Sequence, residues 1–81
     1  KFIRLAVGAL AGLHPWRARV RERTGAAVVA VERGQDVFVK FDDAFRVRPD
    51  DILFVCGTLG GLDQYVREFQ AAPVENPRAA L

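Results

Sequence analysis

The sequence predicts an α+β fold: a small, mainly antiparallel four-stranded sheet covered by two helices, in the order β-α-β-β-β-α. Three observations predict it. Short apolar runs are separated by glycine, proline and acidic turns; two stretches repeat apolar residues at helical spacing; and the polar turn Glu32-Arg33-Gly34-Gln35-Asp36 joins two of the runs as a hairpin. A chain of 81 residues holds one compact domain, and a sheet covered by helices buries the apolar faces of both.

The first strand is Phe2-Ile3-Arg4-Leu5-Ala6-Val7, followed by a loop with Gly8 and Gly12 as breakers. Pro15 suits a first helical turn, and Leu13, Trp16 and Val20 recur at helical spacing until Gly25, so a short amphipathic helix comes next. Its other faces carry Arg17, Arg19, Arg21 and Arg23. The run Ala26 to Val31 is the second strand and Val37 to Phe41 the third. Phe45 and Val47 alternate with Arg46 and Arg48 in a less regular stretch, and Pro49-Asp50-Asp51 makes a turn. Ile52-Leu53-Phe54-Val55-Cys56 is the fourth strand, expected to be the most buried, with Cys56 an inert thiol inside it. Thr58 can cap a second helix, along which Leu59, Leu62, Tyr65, Val66 and Phe69 lay an apolar stripe. From Ala71 to Leu81 there are two prolines and no periodicity. The expected division is a domain over residues 1–70 and a tail or linker over 71–81.

Several function classes drop away on chemistry. The chain has no serine, one histidine (His14) and one cysteine (Cys56), so neither a nucleophile with its base nor a tetrahedral zinc site can be assembled, and no enzymatic activity is expected. The glycines of Val7-Gly8-Ala9-Leu10-Ala11-Gly12 lack dinucleotide-binding spacing, and Gly57-Thr58-Leu59-Gly60-Gly61 lacks the lysine of a phosphate loop. Both read as ordinary strand-to-helix turns. Asp42, Asp43, Asp50 and Asp51 can hold a hard cation, but paired acids at turns usually cap and solvate. A net charge of +2 is too small for a nucleic-acid footprint, and Phe2, Trp16, Phe38, Phe54 and Phe69 fall on apolar faces where core packing is expected. The four helical arginines alternate with acid and read as a solvated face, with phosphate grip as the sharper use. No apolar run reaches the roughly 20 residues of a membrane span. The lone cysteine fits a reducing cytoplasm. The chain opens on Lys1, inside a strand pattern, and is expected to be one module of a longer protein.

Three segments in order carry a family resemblance: Leu10-Ala11-Gly12-Leu13; then Thr24-Gly25-Ala26-Ala27-Val28-Val29-Ala30-Val31-Glu32-Arg33-Gly34; then Asp51-Ile52-Leu53-Phe54-Val55-Cys56-Gly57 before the last helix. Over about Phe2 to Phe69 the sequence resembles the TrkA-C domain, or RCK C-lobe. It departs from the pattern at Asp50-Asp51, where Gly-Asp is usual, at Phe41-Asp42-Asp43, where a proline is common, and at His14-Pro15-Trp16. The resemblance implies a regulatory, ligand-sensing lobe of a potassium channel or a potassium or cation transport protein, on the cytoplasmic side of the membrane. It also implies a homodimer beside a membrane-embedded part of the parent, coupled to it by conformational change. Cofactors are not implied; a regulatory ligand such as cyclic di-AMP or a cation is. On this reading the first strand and the loop Val7 to Leu13 lie near a twofold axis, with Arg4, His14 and Arg17 as candidate anion contacts. Rival readings are an assembly module that dimerises without a ligand, and a small nucleic-acid-binding domain.

Overall fold

The computed structural model describes residues 1–74. Its sheet contains β1 (Phe2–Ala6), β2 (Ala27–Arg33), β3 (Asp36–Phe38) and β4 (Ile52–Cys56). They lie in the order β1-β4-β2-β3, with every pairing antiparallel. Helix α1 (Val20–Thr24) lies between β1 and β2, and α2 (Leu59–Phe69) follows β4. The α+β class and the order of elements are those the sequence predicts.

Residues alternate between the two faces of each strand, and the register sets which neighbours share a face. On the inner face Leu5, Leu53, Val55, Val28 and Val31 are buried. They form one cluster with Leu62, Tyr65 and Phe69 of α2 and Val20 of α1. Burying each large aliphatic side chain removes apolar area from water, at about 1.5–3 kcal/mol apiece. Helix α2 begins where Thr58 accepts a hydrogen bond from the Gly61 amide at 3.0 Å, the cap the sequence suggests. Its stripe is buried at Leu62, Tyr65 and Phe69, whereas Leu59, in the first turn, is exposed.

Gly8 opens a single 3₁₀ turn, Gly8–Leu10, that drops Leu10 into the core. Its φ is +59°, and a Cβ there would sit 2.3 Å from the Phe69 carbonyl oxygen, so only glycine fits. The loop beyond is stitched to the segment before β4: the Gly12 amide donates to the Val47 carbonyl at 2.7 Å and the Val47 amide to the Leu13 carbonyl at 3.0 Å.

Local expectations change in several places. The first helix is shorter than predicted. Residues 15–18 form turns, with the Ala18 amide on the His14 carbonyl, and Arg19 then takes φ +58°, so the α-helix starts only at Val20. The third strand ends at Phe38 rather than Phe41. Phe41 leaves the sheet to join an aromatic cluster, with Trp16 at 4.8 Å and Phe45 at 4.7 Å between ring centroids. Cys56 is exposed, not buried, because it lies on the outer face of β4. Phe2 and Trp16, expected in the core, are 57% and 55% exposed. The segment expected to be a tail starts by packing: Ala71 is buried, and residues 72–74 run antiparallel to β1, with Ala6 donating to the Ala72 carbonyl and Val74 to that of Arg4. The remainder of that tail lies outside the described residues.

Candidate functional site

The strand β2 carries the feature that shapes the site. Its register with β4 shifts between Val28 and Ala30, so Val29 is an extra, bulged residue and is exposed. On its other side β3 pairs only with Val31, Glu32 and Arg33. Residues 27–30 therefore have no strand along that edge. Trp16 occupies part of the gap, its Nε1 donating to the Val28 carbonyl at 3.4 Å. Pro15, Trp16, Val20, Arg21, Glu22, Ala27, Val28 and Val29 line a groove of about 580 Å³ there.

Apolar walls in the groove carry two charged side chains, Glu22, which is paired with Arg19, and Arg21. Of the four arginines expected on the first helix, three are spent on neighbours: Arg17 on Asp43, Arg19 on Glu22 at 2.6 Å and Arg23 on Glu68 at 2.6 Å. Among the described residues Arg21 has no ion-pair partner, and it lines the groove beside the exposed Trp16 ring. An aromatic face and an unspent guanidinium on apolar walls suit a ligand with a planar ring and an anionic group. Sequence reasoning named Arg21 among four arginines but did not join it with Trp16, because the groove that holds both is formed by tertiary packing against β2.

The sequence-derived candidates do not converge. His14 is buried; its Nε2 donates to the Asp42 carbonyl at 2.8 Å, and its Nδ1 accepts from the Trp16 amide at 3.1 Å. Arg17 is exposed on the Asp43 carboxylate. Arg4 belongs elsewhere, on the outer face of β1, reaching across β4 to Glu32 at 3.4 Å and lying 5.6 Å from the centre of the Phe54 ring. Its Nε is buried and, among the described residues, has no hydrogen-bond partner.

Asp51 is the acid that matters structurally. Its side chain is fully buried, and both carboxylate oxygens take bonds from Arg33, at 2.9 and 2.8 Å, while the Arg48 amide adds a third at 2.8 Å. Asp51 is thus occupied as a clasp between β2 and the turn before β4. Among the described residues no three His, Cys, Asp or Glu side chains gather as a metal site.

The outer face of the sheet is the second exposed surface. Phe2, Cys56 and Ala27 form one row across it and Arg4, Phe54 and Ala30 the next, with Ile52 and Val37 beyond. No helix covers it. Ala27 belongs both to this face and to the groove, so the two surfaces adjoin.

The TrkA-C domain family matches residues 17–70, and the chain belongs to that family, which is regulatory and not known as catalytic. Among solved structures the fold is similar to the RCK_C domain dimer of S. agalactiae BusR in complex with c-di-AMP. That match has a TM-score of 0.64 and 21% identity, and covers 78% of this chain and 83% of the other. No curated protein sequence matches.

Proposed function

We propose that the chain is the cytoplasmic regulatory lobe of a potassium channel or a potassium or cation transport protein. It works as a ligand-sensing homodimer beside the membrane-embedded part of its parent. The ligand is a cyclic dinucleotide such as cyclic di-AMP, taken at the Trp16–Arg21 groove. The observation that carries this reading is that Arg21, without an ion-pair partner among the described residues, and the half-exposed Trp16 line the same groove. A purine stacks on the indole, at about 1–3 kcal/mol per base, and the phosphodiester takes the guanidinium. The c-di-AMP complex of the BusR domain dimer supports the ligand class and the dimer.

Of the three anion contacts expected from sequence, Arg17, adjacent in sequence to Trp16 and exposed on Asp43, can exchange that carboxylate for a phosphate. Arg4 belongs to the copy-to-copy contact on the outer face. Because the groove opens onto that face at Ala27, pairing of two copies there brings two grooves to one ligand with twofold character. Such a ligand shifts the parent's gating by its difference in affinity for two arrangements of the dimer.

The second reading, an assembly module without a ligand, is favoured by the apolar outer face, where Phe2 and Val37 are each 57% exposed. Calorimetric titration of the folded chain with cyclic di-AMP, followed in parallel by Trp16 fluorescence, separates the two. Binding is expected, and Arg21→Ala is expected to weaken it by about tenfold or more. Absence of heat and of any fluorescence change at millimolar ligand overturns the sensing role and leaves the assembly module. Sedimentation as a monomer at high concentration overturns the dimer.

A further inference from the structure

We infer that the β1 edge beside Ile3 and Lys1, with the groove between β1 and α2, is a docking site for this chain's own residues 75–77, which continue the ladder that residues 72–74 begin. The inference is independent of the ligand reading, since this groove is not the one at Trp16.

β1 is an edge strand, and an unpaired edge is a template for any extended chain. Its even-numbered residues turn their backbone groups outward: the Ala6 amide donates to the Ala72 carbonyl at 2.8 Å, and the Arg4 carbonyl accepts from the Val74 amide at 3.0 Å. Odd-numbered residues turn theirs to β4, as in the 2.8 Å bond from the Gly57 amide to the Lys1 carbonyl. Phe2 therefore keeps its amide and carbonyl toward the edge, two residues past the Arg4 bond.

Leu5 lies opposite Pro73 in antiparallel register. Continued without a shift, that register sets Glu75 opposite Ile3, Asn76 opposite Phe2 and Pro77 opposite Lys1. The two prolines then share a parity. Pro73 and Pro77 both fall where the backbone nitrogen points away from β1 and a missing N–H costs no ladder bond, while Val74 and Asn76 fall where an amide must donate. A slip of one residue would put Pro77 where a donor is required. No loop has to close either, because three residues at about 3.3 Å each carry the segment as far as β1 runs from Arg4 to Lys1.

The groove has the chemistry of this occupant. It holds about 470 Å³, lined by Lys1 and Ile3 on the strand side and by Leu59, Gly60, Leu62, Asp63 and Val66 on the helix side. Ile3 and Val66 pack against the core yet are only partly buried, and Leu59 is 68% exposed. Of the two charged side chains, Asp63 is taken by Arg67 at 3.0 Å, whereas Lys1 has no ion-pair partner among the described residues. Glu75, at the register position opposite Ile3 and so on the face that carries Lys1, brings the matching charge. With its edge filled in this way β1 offers no ladder to a strand of another chain, which leaves the outer face as the surface where copies meet.

NMR of the whole chain tests the site. A non-hydrogen-bonded antiparallel pair brings its Cα atoms to about 4.5 Å, so a cross-strand Hα–Hα contact between Ile3 and Glu75 is expected, together with slow exchange of the Phe2 amide. Asn76→Pro disrupts the pair with Phe2 and is expected to speed exchange of that amide by about tenfold, whereas Glu75→Pro, at an outward position, is expected to leave it slow. The Ile3–Glu75 contact is read on the wild type and needs no variant to fold; its absence would overturn the inference. Equal Phe2 exchange in the wild type and Asn76→Pro would overturn it too. A contact seen only between differently isotope-labelled copies would also overturn it and give the edge to a second copy's segment.

Discussion

The two faces of this sheet each carry one arginine–carboxylate pair, and the pairs differ in almost every respect. At the rim of the inner face Arg33 clasps Asp51 through two bonds of 2.8 and 2.9 Å, with the carboxylate fully buried. The Arg33 guanidinium also lies over the Phe38 and Phe45 rings, at 5.2 and 5.1 Å. On the outer face Arg4 reaches Glu32 through one contact of 3.4 Å, with both side chains about a third exposed. The inner pair is finished within the chain. The outer pair has unused donors and acceptors in the middle of an uncovered apolar surface. An antiparallel sheet that stands alone normally turns a polar face to water. Here the second face is built from Phe2, Phe54, Ile52 and Val37 around a single loose ion pair, which is the composition of a surface made to be covered.

The largest expected effect separates the two pairs. Asp51→Ala leaves the Arg33 charge without its partner and the Arg48 amide without its acceptor, and should cost about 3 kcal/mol of folding stability. Glu32→Ala should cost under about 1 kcal/mol, as exposed pairs do. Urea unfolding of both variants at dilute protein concentration reads the difference; equal losses would erase the distinction between the faces. The acid side of the stability curve sharpens it. Burial pushes the Asp51 carboxyl up, but the Arg33 guanidinium and the Arg48 amide outweigh it, leaving its pKa below the ordinary carboxylate value. A group depressed in the folded state contributes stability that is present above its unfolded pKa, about 3.9, and is lost as pH falls through the folded value. The wild type should lose stability in that acid window, and the Asp51→Ala curve should be flatter there.

The second effect concerns association rather than folding. Phe54 lies on the outer face, stacked 5.7 Å from Phe2 and under Arg4. Phe54→Ser should weaken self-association by roughly tenfold or more while shifting monomer stability much less than a core truncation of about 2–5 kcal/mol would. Sedimentation equilibrium paired with thermal unfolding at low concentration distinguishes the outcomes. A variant that unfolds without any change in association would assign Phe54 to the core instead.

Much of this architecture was legible because strands and helices have different periods. The α2 stripe at Leu62, Tyr65 and Phe69, the Thr58 cap and the hairpin around Gly34 are local patterns that the structure keeps, while Leu59 at the helix start is exposed. Periodicity could not say which face of β4 is covered. Ile52 to Cys56 is apolar at every position, which suits burial on both sides, so Cys56 was expected inside and is found exposed. The first helix failed for another reason. Its apolar spacing runs from Leu13, but Arg19 adopts a left-handed conformation, and nothing about an arginine announces that. The groove was hidden because it is a tertiary product: a one-residue bulge at Val29, a strand β3 that ends early, and a tryptophan turned back to fill the edge. The clasp was half visible. Asp51 was picked out as a turn acid, but its partner Arg33 is far away in sequence, and only the pairing of β2 with β4 joins them.

The smallest expected effect tests whether the inner face is as complete as its ion pair suggests. Tyr65 is fully buried against Phe69, with ring centres 4.9 Å apart, yet its hydroxyl has no hydrogen-bond partner among the described residues. An unmet buried hydroxyl costs desolvation with no compensating bond, whereas the ring itself contributes full apolar burial. Tyr65→Phe keeps the ring and removes the cost, so stability at neutral pH should be unchanged or should rise by up to about 1 kcal/mol. Burial also pushes the phenol pKa upward. A group raised in the folded state contributes stability that is present below its unfolded pKa, about 10, and is lost as pH climbs beyond it. The wild type should therefore weaken above about pH 10 in a way the Phe variant does not. A clear loss of stability in Tyr65→Phe at neutral pH would mean that the hydroxyl is satisfied in solution, through a bound water or a partner copy. The inner face would then be as dependent on outside contacts as the outer one.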